Sequence, residues 1–166
     1  MNAAAVAARL AELGLQLPAV APPLAAYVPA VRSGAHVYTA GQLPLVDGAL
    51  ARAGKVGEVG EGSGGTDLVP PADAAALART CALNALAAVF SVLGPDQEIR
   101  VVKVVGFVAS DPGFTGQPGV VNGASALLVE VLGDAGVHAR SAVGVAVLPL
   151  DAPVEVELVV EVLPAR

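Results

Sequence analysis

The chain has 166 residues, of which 55% are apolar and 14% charged, and its net charge is −6. That length is typical of one domain with a substantial core. Nine Lys plus Arg, three Phe, two Tyr and no Trp disfavour a nucleic-acid surface, which needs clustered cations and stacking rings.

So few charges predict that apolar surface is buried between subunits, although Ala and Gly inflate the apolar fraction. The only cysteine, Cys81, excludes an intramolecular disulfide and is typical of a core residue in a reducing cytoplasm. Gly, Pro or charge interrupts the apolar runs, so we expect no membrane span.

A short surface helix is predicted at the start of the chain. Apolar residues recur there at helical spacing and a glycine ends the pattern, at Val6, Leu10, Leu13 and Gly14. We expect this helix to belong to a lead-in over residues 1–26, ahead of a single domain over residues 27–166.

Two strands and a long loop are predicted next. Residues 27–32 and 35–40 favour β-structure, and Ser33-Gly34 between them is a hairpin signal. Between residues 47 and 71 the composition shifts to Gly, Glu, Ser and Pro, which predicts a long loop.

The second half of the chain alternates helices and strands. Pro70-Pro71 and Asp73 open a helix that runs to about Leu93. Its apolar stripe is formed by Leu83, Leu86, Phe90 and Leu93. Residues 99–110 are apolar on both faces apart from two basic residues, so they predict a central strand.

A second helix is marked by Val121, Ser125, Leu128 and Leu132, with Gly133 as its stop. Residues 140–148 and 154–162 are the last two predicted strands. The order β-β-α-β-α-β-β predicts an α+β fold with two helices packed on one face of a mixed, mostly antiparallel sheet. We expect other subunits to cover the other face.

Arg140 and Glu155 are the candidate site residues. An arginine binds a small carboxylate through two parallel hydrogen bonds, and a glutamate on the following strand can activate a water. Two simpler interpretations stay open. Glu155, Glu157 and Glu161 alternate on one strand face, which is typical of a solvated acidic surface. Arg140 could simply pair with Glu157 or Asp134 at a strand end.

Other chemistries are disfavoured by spacing. The two histidines and Cys81 lack metal-ligand spacing. Gly60–Gly65 matches the dinucleotide-binding pattern in letters, but no strand and helix flank it, so we expect no cofactor. Ser141 and His138 have an odd separation and would lie on opposite faces of one strand, which excludes a serine–histidine pair.

The motifs in order resemble the RidA/YjgF family, also called endoribonuclease L-PSP. The motifs that carry the resemblance are Thr39-Ala40-Gly41-Gln42-Leu43-Pro44, the helix segment 81–87, the strand 102–108 and Ala139-Arg140-Ser141 followed by Glu155-Val156-Glu157. Asn122 falls where the family has an Asn opening its second helix. The chain is most similar to a longer, divergent branch of the family.

The resemblance implies a chorismate-mutase-like fold assembled as a homotrimer with clefts between subunits. It implies hydrolysis of reactive 2-imino acids and their enamines to 2-oxo acids and ammonia, without a metal. Arg140 would bind the carboxylate, Glu155 would activate water, and Tyr27 would line the cleft. Backbone groups of Gly41 and Ala142 would hold the imine and the water.

Two departures from the family pattern concern the cleft. Ala142 replaces a frequent cysteine, so only its backbone role transfers, and Tyr27 lacks the family's Pro-Tyr-Ser-Gln context. Two other functions therefore stay open: a non-catalytic binder of small acids, and the ribonuclease or translation inhibitor of the older family name.

Overall fold

The structure, a computed structural model, describes residues 1–20, 26–58 and 68–164. Its helices are α1 (Ala3–Glu12), α2 (Pro71–Ser91) and α3 (Gln117–Leu132). Its strands are β1 (Ala30–Ser33), β2 (His36–Thr39), β3 (Leu45–Val46), β4 (Ala49–Leu50), β5 (Ile99–Ala109), β6 (Ala139–Val145) and β7 (Val154–Val162).

Five strands form one sheet in the order β1-β2-β7-β5-β6. The pair β5 and β6 is parallel and joined through α3, whereas the other neighbours are antiparallel. Helices α2 and α3 pack against each other and against the sheet. The predicted α+β architecture with a mixed, mostly antiparallel sheet and two helices on one face is confirmed, as is the central position of β5.

Strand β7 shows why one face of the sheet is buried. Its burial alternates along the strand: Val154, Val156, Leu158, Val160 and Val162 are buried, and the residues between them are partly exposed. Three of those between are glutamates, so the predicted alternation is confirmed. On the opposite face Val31, Tyr38 and Val143 remain exposed in the single chain, and its cover by other subunits stays a prediction.

The buried side of α2 differs from the predicted leucine stripe. Leu86 is fully buried, but Leu83 and Phe90 are only partly so. Small residues form most of the buried face: Ala74, Ala78, Cys81, Ala82, Ala85 and Ala88. All four stripe residues contact the core, but the stripe omitted the small residues that face α3. Small side chains let the two helices approach closely, and a Cβ on Gly123 of α3 would collide with the backbone of Ala75.

The predicted N-terminal helix is confirmed as α1, ending before Gly14 at φ +70°. It packs closely on the domain, since Val6 and Leu10 are fully buried in the same apolar cluster as the sheet. Within the segment 47–71, predicted as loop, Asp47-Gly48 forms the positive-φ turn of the hairpin β3–β4. Residues 59–67, with the Gly60–Gly65 pattern, lie outside the described residues.

Helix α2 is long and apolar enough to cross a membrane by length and composition, although the sequence predicts no membrane span. Half of its most apolar window is buried inside the protein, and the helix carries Asp73 and Arg79. Core helices of globular domains pass the same test, so this property is weak evidence for a membrane span.

Candidate functional site

Arg140 lies on β6, an edge strand of the sheet, and its side chain reaches α3. Because α3 is the crossover between β5 and β6, it packs beside β6 and supplies hydrogen-bond acceptors. Nη1 donates to Asn122 Oδ1 at 2.8 Å and to Ser125 Oγ at 3.1 Å. Nη2 donates to the carbonyl oxygen of Pro118 at 3.3 Å.

All three acceptors of Arg140 are neutral, and none of the ion pairs among the described residues includes it. A guanidinium carries five N–H donors, so Nε–H and one proton of Nη2 have no acceptor in the part of the chain that the structure describes. Two donors on neighbouring nitrogens match the two oxygens of a carboxylate. The site can therefore bind an anion, and the predicted pairing of Arg140 with Glu157 or Asp134 is absent from the described ion pairs.

Ser125 in turn contacts His138, which precedes β6. Ser125 Oγ lies 3.0 Å from His138 Nε2, and His138 Nδ1 lies 2.6 Å from the carbonyl oxygen of Gly136. Sequence reasoning missed this connection, although His138 and Arg140 are two residues apart and Asn122 and Ser125 share a helix face. The rejected pairing of His138 with Ser141 stays rejected, because both ring nitrogens of His138 bond other groups, while the Ser141 hydroxyl accepts from Lys103 Nζ at 2.9 Å.

Glu155 lies near the start of β7, with its carboxylate packed against Gly41 in the turn after β2. A Cβ on Gly41 would collide with Glu155 Oε1, so only glycine permits this approach. Asn84 of α2 fixes the turn by donating to the carbonyl oxygens of Leu43 and Leu45 at 2.9 and 3.1 Å. The structure thus brings Gly41 and Glu155 together.

The Glu155 carboxylate accepts no hydrogen bond from any residue in the described ranges. Burial raises its pKa above the usual glutamate value, and the nearby Glu157 charge raises it further. A carboxylate with a raised pKa and free lone pairs can take a proton from water at neutral pH.

Arg140 and Glu155 do not meet within one chain, which corrects the expectation that they lie on adjoining strands. Strand β5 separates them: Arg140 pairs with Val104, which pairs with Leu158, and both of these are buried beneath the helices. Glu155 pairs with Phe107, three residues from Val104, so it lies on the opposite face. Strands β6 and β7 follow each other in the chain but are not neighbours in the sheet, because the parallel crossover through α3 places β6 beside β5.

Of the remaining predicted site residues, Ala142 and Asn122 lie on the same side of the sheet as Arg140. Ala142 is on β6 beside Gly106, and a Cβ on Gly106 would collide with α3, so Ala142 shares the helix-facing side with Arg140. Tyr27 precedes β1 and is 55% exposed. Asn122 contacts Arg140 but does not open α3, which already begins at Gln117.

The described residues contain no group of three or more His, Cys, Asp or Glu side chains that could hold a metal ion. Cys81 is buried, and burial raises its thiol pKa well above the usual range, with a smaller contribution from Glu155. A thiol in that state is a poor nucleophile.

Comparison with known proteins gives a consistent result. Residues 7–162 match the family described as "YjgF/chorismate_mutase-like, putative endoribonuclease". Protein TCP17 of Trypanosoma cruzi is 46% identical over 158 residues, which span 94% of this chain and 93% of that protein.

Two crystal structures are similar over nearly the whole chain. The protein Atu1372 from Agrobacterium tumefaciens, of unknown function, is 43% identical with a TM-score of 0.82, over 96% of this chain and 93% of that one. A protein from Shewanella oneidensis described as "a putative endoribonuclease" is 30% identical with a TM-score of 0.81, over 94% and 98% of the two chains.

Proposed function

This chain belongs to the YjgF/chorismate mutase-like family, in a longer and divergent branch, and from that premise we propose that it hydrolyses reactive 2-imino acids. The observation that carries the proposal is the Arg140 guanidinium, which has only neutral acceptors and two free donors on neighbouring nitrogens among the described residues. A small carboxylate is the ligand that this arrangement favours.

In the proposed reaction Arg140 holds the substrate carboxylate while water adds to the imine carbon. Glu155 takes a proton from that water and passes it to the imine nitrogen, which gives an aminoalcohol. The hydroxyl proton of the aminoalcohol then moves to the nitrogen as the carbon–nitrogen bond breaks, which releases ammonia and leaves a 2-oxo acid. The raised pKa of Glu155 suits proton transfer near neutral pH. An imine carbon is already electrophilic, so positioning and one general base suffice, and the proposal requires no metal or cofactor.

The opposite faces of the sheet require that a shared site take Arg140 from one protomer and Glu155 from another. We therefore propose a homotrimer with clefts between subunits, in which the backbone groups of Gly41 and Ala142 hold the water and the imine. Tyr27 would line such a cleft. The exposed apolar residues of the open sheet face support burial between copies, and sedimentation at three times the monomer mass is the expected result.

Purified protein tests the proposal with 2-iminopropanoate, generated in place by an amino acid oxidase and trapped by semicarbazide. We expect the wild type to accelerate loss of the imine and Arg140→Ala to lower kcat/KM by about 100-fold or more. Arg9→Ala, which removes an ion-paired surface arginine, is the matched control. Equal rates for wild type and Arg140→Ala would contradict the site assignment.

The position of Arg140 also supports a second candidate, a non-catalytic binder of small carboxylic acids. The hydrogen bonds that orient Arg140 do not involve Glu155, so an anion can bind the free donors of Arg140 without a general base. Thermal stabilisation by 2-oxobutanoate without turnover, lost in Arg140→Ala and kept in Glu155→Ala, would favour this function.

An endoribonuclease, the activity in the family's description, is the least favoured candidate. A net charge of −6 and the scarcity of aromatic residues oppose RNA binding. RNA cleavage by nuclease-free protein that is lost in Glu155→Gln would favour it.

A cytoplasmic location remains an expectation from the single reduced cysteine.

A further inference from the structure

Three side chains form a chain of hydrogen bonds that ends on the Arg140 guanidinium. It runs from the carbonyl oxygen of Gly136 to His138, then to Ser125, and finally to Arg140 Nη1, with separations of 2.6, 3.0 and 3.1 Å. Ser125 and His138 have no part in the deamination chemistry proposed above.

For the neutral His138 ring, the direction of each bond in this chain follows from which atoms can donate and which can accept. A carbonyl oxygen only accepts, so His138 Nδ1 carries the proton and Nε2 of the neutral ring has a lone pair. Ser125 therefore donates its hydroxyl proton to Nε2. An arginine only donates, so the lone pairs of Ser125 Oγ receive Nη1–H.

The far end of the chain is anchored by close packing. Gly136 is buried, and a Cβ at this position would collide with the backbone of Leu128 in α3. Its carbonyl group is therefore held against the helix that also carries Ser125 and Asn122. Gly136 and Arg140, at the two ends of the hydrogen-bond chain, therefore both contact α3.

We infer that His138 and Ser125 are positioning residues, which orient Arg140 so that its unused donors face a carboxylate. Asn122 and the Pro118 carbonyl fix two directions of the guanidinium, but a serine hydroxyl alone can rotate its proton toward Arg140. His138 prevents that rotation by accepting the proton. The inference rests on the proposed function only for the identity of the anion.

The first test measures the rotation of the Arg140 guanidinium in the absence of any ligand. In ¹⁵N-labelled protein, the Nε–H signal of Arg140, assigned by its loss in Arg140→Ala, reports how freely the guanidinium rotates. We expect restricted rotation in the wild type and faster rotation in His138→Leu and Ser125→Ala. His138→Gln, whose side-chain oxygen can replace Nε2 as acceptor, should restore the restriction.

The second test measures ligand binding and turnover in the same variants. We expect His138→Leu and Ser125→Ala to raise the Kd for 2-oxobutanoate and the KM for the imino acid about 10-fold, with kcat within twofold. His138→Gln should recover most of this loss. Ser91→Ala, which removes another helical serine hydroxyl that donates to the carbonyl oxygen of Ala88, is the control and should change neither constant.

The outcomes separate this inference from the proposed function. An unchanged Nε–H signal in His138→Leu overturns the positioning role, and so does loss of kcat at constant KM in Ser125→Ala, which would make Ser125 a nucleophile. A wild type that binds no 2-oxobutanoate, yet loses the restricted signal in His138→Leu, overturns the carboxylate site and keeps the positioning role.

Discussion

Two regions of the molecule, the Arg140 end (Arg140 with its acceptors on α3) and the Glu155 end (Glu155 with Gly41), have opposite hydrogen-bonding environments. Arg140 donates to three acceptors on one helix, one of which is fixed by His138. Glu155 accepts no hydrogen bond from the described residues, and its pKa is raised by burial and by Glu157. The first arrangement holds the guanidinium charge in a fixed orientation. The second favours protonation of the carboxylate.

This contrast fits a division of roles between binding and proton transfer. A binding cation needs a fixed geometry and a permanent charge, which arginine provides. A general base needs a pKa near the working pH and room to contact water. The two ends also lie on opposite faces of the sheet, so their cooperation depends on neighbouring copies of the chain.

Glu155→Gln should have the largest effect on turnover and thereby sharpen the contrast. We expect kcat to fall by about 100-fold or more, because the amide cannot accept the proton of water, while the Kd for 2-oxobutanoate changes less than about threefold. Glu161→Gln, on the same strand but ion-paired with Arg100, is the control. A large loss of affinity in Glu155→Gln would show that the two ends share one role.

Gly41→Ala should reduce turnover by a smaller factor. The added methyl group would displace the Glu155 carboxylate, so we expect kcat to fall about 10- to 100-fold with little change in the Kd for 2-oxobutanoate. Gly94→Ala is the matched control, because its Cβ would have no contact shorter than 3.7 Å. Wild-type kcat in Gly41→Ala would mean that the position of Glu155 is unimportant.

The smallest expected effect is on stability. Because the folded protein raises the Glu155 pKa, the folded state holds this proton more tightly than the unfolded state does. The stabilisation from the protonated Glu155 carboxyl is present below the ordinary glutamate pKa. It is lost as pH rises through the raised pKa of the folded protein. Relative to wild type, Glu155→Gln should therefore gain stability from pH 4 to pH 8, by less than about 4 °C in Tm. The opposite trend would contradict the raised pKa.

Sequence predicted the elements whose burial follows a simple period. The alternation in β7 separates valines from glutamates along the whole strand, and the apolar run of β5 marks a strand with neighbours on both sides. The leucine stripe of α2 was incomplete, because the close approach of α2 and α3, which a sequence does not display, selects small residues at their contact.

The candidate site was predictable only in part. Motif resemblance identified Arg140 and Glu155, but it could not show that β5 lies between their strands, since strand order depends on the parallel crossover through α3. The bonds of Ser125 and His138 join positions 13 residues apart. The even spacing of His138 and Arg140 and the shared helix face of Asn122 and Ser125 are the signals that could have suggested these bonds.

Subunit mixing tests the central claim most directly. Arg140→Ala and Glu155→Gln, each nearly inactive alone, are unfolded together in equal amounts and refolded. If each site combines Arg140 of one protomer with Glu155 of another, about a quarter of the interfaces in a closed ring regain both residues, and we predict about that share of wild-type activity. No recovery from a properly mixed assembly would contradict the account.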